Sequence, residues 1–243
     1  DILNGGQGAP LTPIFHYLLS KILNKKNRIE YPICFLNIGG ISNITVIESC
    51  KEFNNYKFKA FDVGPGNCLI DQWIRKNSKK KYDYNGFIAD SGVIDKLVLN
   101  QATENFDIKS YDQSLDINDF DISFAKGLSL ENGCATITSY TAYLISKGIE
   151  YACNLNKEIQ TKYFICGGGR KNSFLIKSIK KNLLSYSNID LEIIDDYDIN
   201  GDYVESQAFG YLAIRSFLKL PISFPQTTGC NTAVSGGKIV DNF

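Results

Sequence analysis

Apolar residues recur at helical spacing over residues 14–23, just behind Pro13, and predict a helix there. Residues 33–37 (Ile-Cys-Phe-Leu-Asn) form an unbroken apolar run of the buried-strand type. Gly39-Gly40 turns the chain, and residues 41–47, rich in Ile, Thr and Val, predict a second strand that closes a hairpin on the first. A third strand is predicted over 56–61, ending at Asp62, and the tight loop from there to Asn67 opens a helix over 68–76. A short helix is predicted over 92–100. A long amphipathic helix follows over 135–154, then a strand over 163–166, the loop Gly167-Gly168-Gly169 and a helix over 173–184. A strand over 191–194 and a helix over 204–218, with Asp202 as its N-cap, complete the pattern. Residues 103–128 have weak periodicity and many Asp and Asn, and read as an irregular excursion. Lys79-Lys80-Lys81 reads as a solvated loop. The order β-β-β-α, α, β-α, β-α predicts an α/β domain with a mixed sheet and flanking helices. Three strands would form an antiparallel meander and the two later ones would run parallel.

Composition narrows the class. At 243 residues the chain suits one large domain or two modest ones. With 44% hydrophobic and 21% charged residues it is not intrinsically disordered. Lys+Arg 26 against Asp+Glu 26 gives no basic excess, so no nucleic-acid partner is expected. No apolar run approaches the ~20 residues of a membrane span, and no signal peptide is recognisable. A cytoplasmic protein without a membrane partner is therefore expected. The chain starts Asp1-Ile2-Leu3 and contains no Met, so a processed chain or a piece of a longer one is expected. Seven cysteines stand singly, with no CxxC, which points to buried small apolar residues in a reducing compartment. His16 is the only histidine, so a Ser-His-Asp triad or a multi-histidine metal site would have to be built around it; no protein-held metal site is expected.

Three glycine clusters follow strand-like segments: Asn37-Ile38-Gly39-Gly40, the stretch from Asp62 through Gly64, Gly66 and Asn67, and Cys166-Gly167-Gly168-Gly169. Glycine lets a backbone approach a phosphate or base closely, and a helix N-terminus behind it can hold an anion. Three such turns at the carboxyl ends of strands in one sheet point to a ligand cleft. Neither a GxxxxGK[ST] loop nor a GxGxxG fingerprint is present. Asp62 at a strand end reads equally as a carboxylate that binds Mg²⁺ or takes a proton, and as an N-cap for the helix after Gly66. Glu205 reads as a complement to the helix macrodipole, or as a contact to substrate or a metal-bound water. His16 reads as a core or surface residue, and Trp73 as core packing.

Together these segments resemble the anhydro-N-acetylmuramic acid kinase family, sugar kinases of the actin/Hsp70/hexokinase-like superfamily. Gly5 to Leu11, continuing through Pro13 to Phe15-His16, resembles GGQGAPLxPxFH, and Leu36 to Thr45 resembles LNIGGIANIT. Phe61 to Asn67 is similar to FDTGPGN with Val63 in place of Thr, and Ser114 to Phe120 to an SLDRNDF variant with Ile117 in place of Arg. Ala135 to Ala142 resembles ATLTxxTA, Ile165 to Asn172 resembles VCGGGxxN, Gly201 to Phe209 resembles GDxxEAxAFA, and Pro225 to Gly229 resembles PSVTG. The resemblance implies a ribonuclease H-like ATPase fold. It implies a kinase that uses ATP and Mg²⁺ to convert 1,6-anhydro-N-acetylmuramic acid, with water, into N-acetylmuramic acid 6-phosphate in peptidoglycan recycling. Asp62 would be the general base. Gly39, Gly40, Gly64, Gly66, Asn67, Gly167, Gly168, Gly169 and Asn172 would meet ATP. Gly6, Gln7, Gly8, His16 and Glu205 would meet the sugar or metal.

Family members carry a further phosphate loop, GTSxDG, nearer their N-terminus, and nothing in this chain matches it. The resemblance therefore implies the second lobe of the fold (residues 32–218) with remnants of the first (1–31 and 219–243). A separate N-terminal lobe or a second copy would be its partner. A non-catalytic remnant that binds nucleotide or muramyl sugar, and a kinase for another sugar, are the competing readings.

Overall fold

A computed structural model describes residues 1–49, 57–105, 111, 114–155, 159–238 and 240. Tyr56, where the third strand was expected to begin, Cys50, and residues 106–110 and 112–113 of the expected irregular excursion lie outside the described residues.

After a 3₁₀ turn over Ile2–Asn4, helix α1 (Pro13–Asn27) starts with proline in its first turn, where a missing N–H costs nothing. It ends at Arg28, which adopts a left-handed conformation and donates its N–H to the Leu23 carbonyl. Strands β1 (Ile33–Ile38), β2 (Ile41–Ser49) and β3 (Lys57–Pro65) form the meander. Next come α2 (Cys68–Asn77), α3 (Phe87–Asp90), α4 (Lys96–Glu104) and the long α5 (Leu130–Leu155). β4 (Thr161–Cys166), α6 (Ser173–Asn182), β5 (Ile189–Ile193), α7 (Val204–Phe217) and α8 (Pro225–Thr228) follow. The sheet order is β3-β2-β1-β4-β5, with β4 and β5 parallel to β1, as the element order predicted.

Alternation along the strands divides the core. Ile33, Phe35, Ile47, Phe58 and Phe164 point to the face covered by α1, α7 and the segment around Phe224. Cys34, Leu36, Ile44, Val46, Phe61 and Ile165 point to the face covered by α5 and α6. A third cluster joins α2, α3 and α4 to the outer side of α5; within it the buried Trp73 donates Nε1–H to the Leu130 carbonyl at 2.9 Å. Among the described cysteines, Cys34, Cys134, Cys153, Cys166 and Cys230 are buried and Cys68 is half-buried, and all six are free thiols.

Three expectations need correction. The helix expected over 92–100 starts later, because the Asp95 carboxylate accepts the N–H groups of Leu97 and Val98 and so caps α4 at Lys96. Strand β3 does not end at Asp62 but runs on to Pro65, since β2 continues to pair with it. Asp202 is not the N-cap of α7: Tyr203 holds that position, with no side-chain cap, and the Asp202 carboxylate is drawn instead to Arg170 and Lys171.

Candidate active site

Strands β1, β3 and β4 run in one direction, so the turns that follow them crowd one edge of the sheet. Backbone hydrogen bonds tie these turns together. Gly66 N–H donates to the Gly40 carbonyl at 2.8 Å, and Asn67 N–H donates to the Gly39 carbonyl at 2.7 Å. A side chain on Gly66 would collide with the Gly39 carbonyl, so only glycine permits this approach. Gly167 has φ +79° and lies against the ends of Asn37 and Ile38, which docks the β4 turn onto β1. Asn67 Nδ2 reaches the Ile38 carbonyl at 3.4 Å.

Three cavities open around this edge. One of about 300 Å³ is lined by Asn67, Asp71, Tyr84, Gly168, Lys171 and Asn172. Asn172 is buried and caps α6, its Oδ1 accepting the Leu175 N–H at 3.0 Å. A second cavity, of about 410 Å³, is lined by His16, Asn37, Gly39, Asn43, Gly167 and Glu205, among others. A third, of about 380 Å³, is lined by Gln7, Pro10, Asp62, Tyr111, Ser114 and Thr227, among others. Pro10 belongs to both of the larger ones.

Asp62 stands inside β3, five residues before Asn67, the N-cap of α2. The capping reading of Asp62 is thereby excluded. The register explains its placement. Asp62 pairs with Asn43 and Gly64 pairs with Ser42, so Val63 is an extra residue, a bulge next to the carboxylate. Asp62 shares its sheet face with Asn43 and Thr45, the face covered by α1. The Leu115 N–H donates to Asp62 Oδ2 at 2.8 Å. Burial holds the Asp62 carboxyl above the ordinary aspartate range, and the Leu115 hydrogen bond opposes that rise.

His16 is fully buried, stacks on Phe35 with ring centroids 4.9 Å apart, and pairs Nδ1 with Thr45 Oγ1 at 2.8 Å. Burial pulls its pKa down to about 3, so the ring is neutral at physiological pH. Glu205 sits in the first turn of α7 and lines the same cavity as His16. The remaining expected site residues serve the loops. Gly8 N–H donates to Asp1 Oδ2 at 2.6 Å, and Gly6 N–H to the Asp1 carbonyl at 3.1 Å. Gly64 lies under Leu144 of α5, Gly169 packs on Ile38, and Gly40 is exposed at the tip of its turn.

Sequence reasoning missed three participants. Asn43 lines the 410 Å³ cavity, and its buried Oδ1 accepts no hydrogen bond among the described residues. The Ser114–Leu115 peptide covers Asp62 from a distant part of the chain. Arg170, also buried, binds Asp195 through Nε at 2.6 Å and Nη2 at 3.1 Å, and Asp202 through Nη1 at 3.0 Å. The strand alternation that places Thr45 also places Asn43, so that signal was available; the other two depend on tertiary packing.

Among the described residues, no group of three or more His, Cys, Asp or Glu gathers as a metal site, and no helix is long and apolar enough to cross a membrane. A mixed sheet of this order, with glycine turns, cavities and a half-buried carboxylate at one edge, defines an α/β domain with a cleft at the carboxyl ends of its strands. Residues 1–242 match the family described as anhydro-N-acetylmuramic acid kinase, and the chain belongs to that family. The anhydro-N-acetylmuramic acid kinase of Pelagibacter ubique is 51% identical over 245 residues, covering 100% of this chain and 63% of the relative. That of Zymomonas mobilis is 35% identical over 240 residues, covering 98% of this chain and 61% of the relative. The one from Agrobacterium fabrum is 37% identical over 242 residues, with 99% and 61% covered. The chain thus spans about three fifths of the length of these relatives. Among solved structures, the activator of the 2-hydroxyisocaproyl-CoA dehydratase from Clostridium difficile with bound ADPNP aligns with 74% of this chain and 59% of its own. Its identity is 14% and its TM-score 0.40.

Proposed function

We propose that this chain carries the catalytic carboxylate and one nucleotide-binding wall of an ATP-dependent kinase for 1,6-anhydro-N-acetylmuramic acid. The observation that carries this reading is the placement of Asp62. It is half-buried, beside a bulge, and lines one cavity with Gln7, while its cross-strand partner Asn43 lines the other with His16 and Glu205 and Pro10 borders both. A carboxylate raised by burial, with no ion-pair partner among the described residues, is suited to take a proton.

In this reading Asp62 accepts a proton from water as the water oxygen bonds to the anomeric carbon. The bond from that carbon to O6 breaks, and O6 takes the γ-phosphoryl group of ATP, leaving ADP and N-acetylmuramic acid 6-phosphate. Opening the bridge supplies the oxygen nucleophile that phosphoryl transfer requires. The Gly39-Gly40 turn and the Gly167-Gly168 turn offer backbone N–H groups to the phosphates. Asn67, Gly168 and Asn172 line the 300 Å³ cavity, which takes the adenosine. Gln7, His16 and Glu205 border the space left for the sugar.

Mg²⁺ suits a site of this kind, because it binds through one carboxylate or two together with substrate phosphates. Glu205 is the carboxylate that fits, since Asp202, on the same wall, is held by Arg170 and Lys171. The ion would neutralise phosphate charge when bound. Residues 32–218 would then be the second lobe, with 1–31 and 219–243 returning to the first. The facing wall would come from polypeptide matching the rest of the relatives' length, as a separate lobe or from a second copy. In this reading the protein works in the cytoplasm.

The test is direct. The protein is incubated with ATP, Mg²⁺ and the anhydro sugar, with and without polypeptide matching the rest of the relatives' length. Mass spectrometry then looks for a product heavier by one water and one phosphoryl group. Product that disappears in Asp62→Asn supports the reading; its absence in both arrangements overturns it.

A further inference from the structure

We propose that Gln7 is a positioning residue that fixes the carboxylate of Asp62 through the Ser114–Leu115 peptide. The inference rests on the reading of Asp62 as the base. Three successive backbone N–H groups, in a stretch without regular secondary structure, each donate to a side-chain oxygen. Ser114 N–H donates to Gln7 Oε1 at 2.8 Å, Leu115 N–H to Asp62 Oδ2 at 2.8 Å, and Asp116 N–H to Asp119 Oδ2 at 2.7 Å. Backbone donors outside a helix or ladder must find other partners, and those partners then set where the segment lies. The third bond closes a local turn. The first two tie this segment by its amides to other parts of the molecule, so Gln7 and Asp62 are coupled through one residue, Ser114, and the two amides that flank it.

The anchor behind Gln7 is rigid. Its own N–H donates to the Thr228 carbonyl at 2.8 Å. The Asp1 carboxylate accepts Gly8 N–H at 2.6 Å and Thr228 Oγ1–H at 2.7 Å, and also binds Ser223 Oγ. Ser114 adds a second tie, its Oγ reaching the Ala9 carbonyl at 3.4 Å. The glycine-rich loop is thus knotted to the C-terminal segment and presents Gln7 Oε1 at a fixed point.

The consequence at Asp62 is asymmetric. Oδ2 is pinned by Leu115, while Oδ1 accepts no hydrogen bond among the described residues. A carboxylate held by one oxygen presents the other in a defined direction, which a general base requires. Without the Gln7 acceptor, Ser114 N–H turns to solvent, the segment loses its register, and the Leu115 bond to Asp62 goes with it. Gln7 need not touch substrate to do this.

The experiment uses the ligand-free protein, labelled with ¹³C at aspartate carboxyls and ¹⁵N at leucine, and follows both signals by NMR against pH. Asp62→Asn assigns the carboxyl resonance. In the wild type the Leu115 amide shift should follow the Asp62 titration. In Gln7→Leu that link should vanish and the Asp62 midpoint should rise by about one unit, the worth of one lost hydrogen bond to a charged group. Gln7→Asn, which withdraws the oxygen by one methylene, should move it in the same direction. Gln226→Leu, on the same cavity wall, should not move it. An Asp62 midpoint and a Leu115 profile unchanged in both Gln7 variants would overturn the proposal. Because no turnover is read, failure of the kinase reading cannot imitate that result.

Discussion

Asp62 and Asn43 stand opposite each other across the β2–β3 ladder, at the point where Val63 is inserted without a partner. The bulge lets a strand that is otherwise covered by α1 bring a carboxylate to the sheet edge. The location is costly, since burial raises the Asp62 carboxyl. The folded pKa therefore lies above the unfolded one. The sign follows: relative to acid, the folded state loses stability as pH rises past the unfolded pKa and through the folded one. Asp62→Asn should accordingly melt at a higher temperature than the wild type at neutral pH, with the difference vanishing in acid. Turnover should fall by roughly 10²–10⁴-fold, the usual worth of a general base, while ATP binding is kept. Thermal melts at two pH values and a nucleotide-binding titration check both halves.

Asn43 offers a buried acceptor that nothing among the described residues satisfies. Such a group costs roughly 1–3 kcal/mol in the free protein. Asn43→Val removes it and inserts a residue that strands favour. Chemical denaturation should show the variant more stable by about 1 kcal/mol, and turnover should drop by roughly tenfold or more, the effect of losing one such contact. A variant that loses stability and keeps turnover would make Asn43 a packing residue.

His16 supplies a cleaner pH test, because the chain has no other histidine. Its folded pKa is pulled down to about 3 from the ordinary 6.5. Below 6.5 the unfolded chain takes up a proton that the folded protein refuses. Stability should therefore decline as pH falls from 6.5 towards 3 and level off beneath it. His16→Gln should show a flatter profile in that window. At neutral pH it should be less stable by roughly 1–3 kcal/mol, from the lost stack on Phe35 and the altered bond to Thr45. Urea unfolding across the range reads both effects.

The sheet was legible in the sequence because its periodicity is local: the runs at 33–37 and 41–47 and the turn at Gly39-Gly40 dictate a hairpin by themselves. The glycine turns were legible for the same reason, and their common edge followed from strand direction. Two kinds of feature were not. A bulge changes register without changing composition, so the run from Val63 to Pro65 reads as a loop although it is strand. Side chains that act at long range, such as Gln7 on Ser114 or Asp202 on Arg170, obey no spacing rule. Asp202 illustrates the competition: its position favours a cap, but a buried guanidinium offers a stronger partner.

That guanidinium carries the last prediction. The Arg170 side chain is only 3% exposed, yet its partners Asp195 and Asp202 are 38% and 48% exposed. It also donates Nη1–H to the Gly167 carbonyl at 3.0 Å, and Gly201 is packed on it so closely that any side chain there would clash. Arg170 therefore joins the glycine turn after β4 to the loop that launches α7 and Glu205. Arg170→Met keeps the stem and removes the fork. Two carboxylates that are pulled below the ordinary range mainly by hydrogen bonds from Arg170 and Lys171 lose their shared Arg170 partner. Because the variant removes the buried charge and leaves carboxylates that reach solvent, the expected result is a measurable loss of stability, carried by the lost charged hydrogen bonds rather than by a stranded buried ion. By contrast, Lys26→Met breaks only the exposed pair with Asp198 and should leave stability nearly unchanged. Salt should weaken the second effect and leave most of the first. If Arg170 also fixes the spacing between Gly167 and Glu205, Arg170→Met should weaken ATP binding more than the stability loss alone explains, which calorimetric titration below the melting range would show.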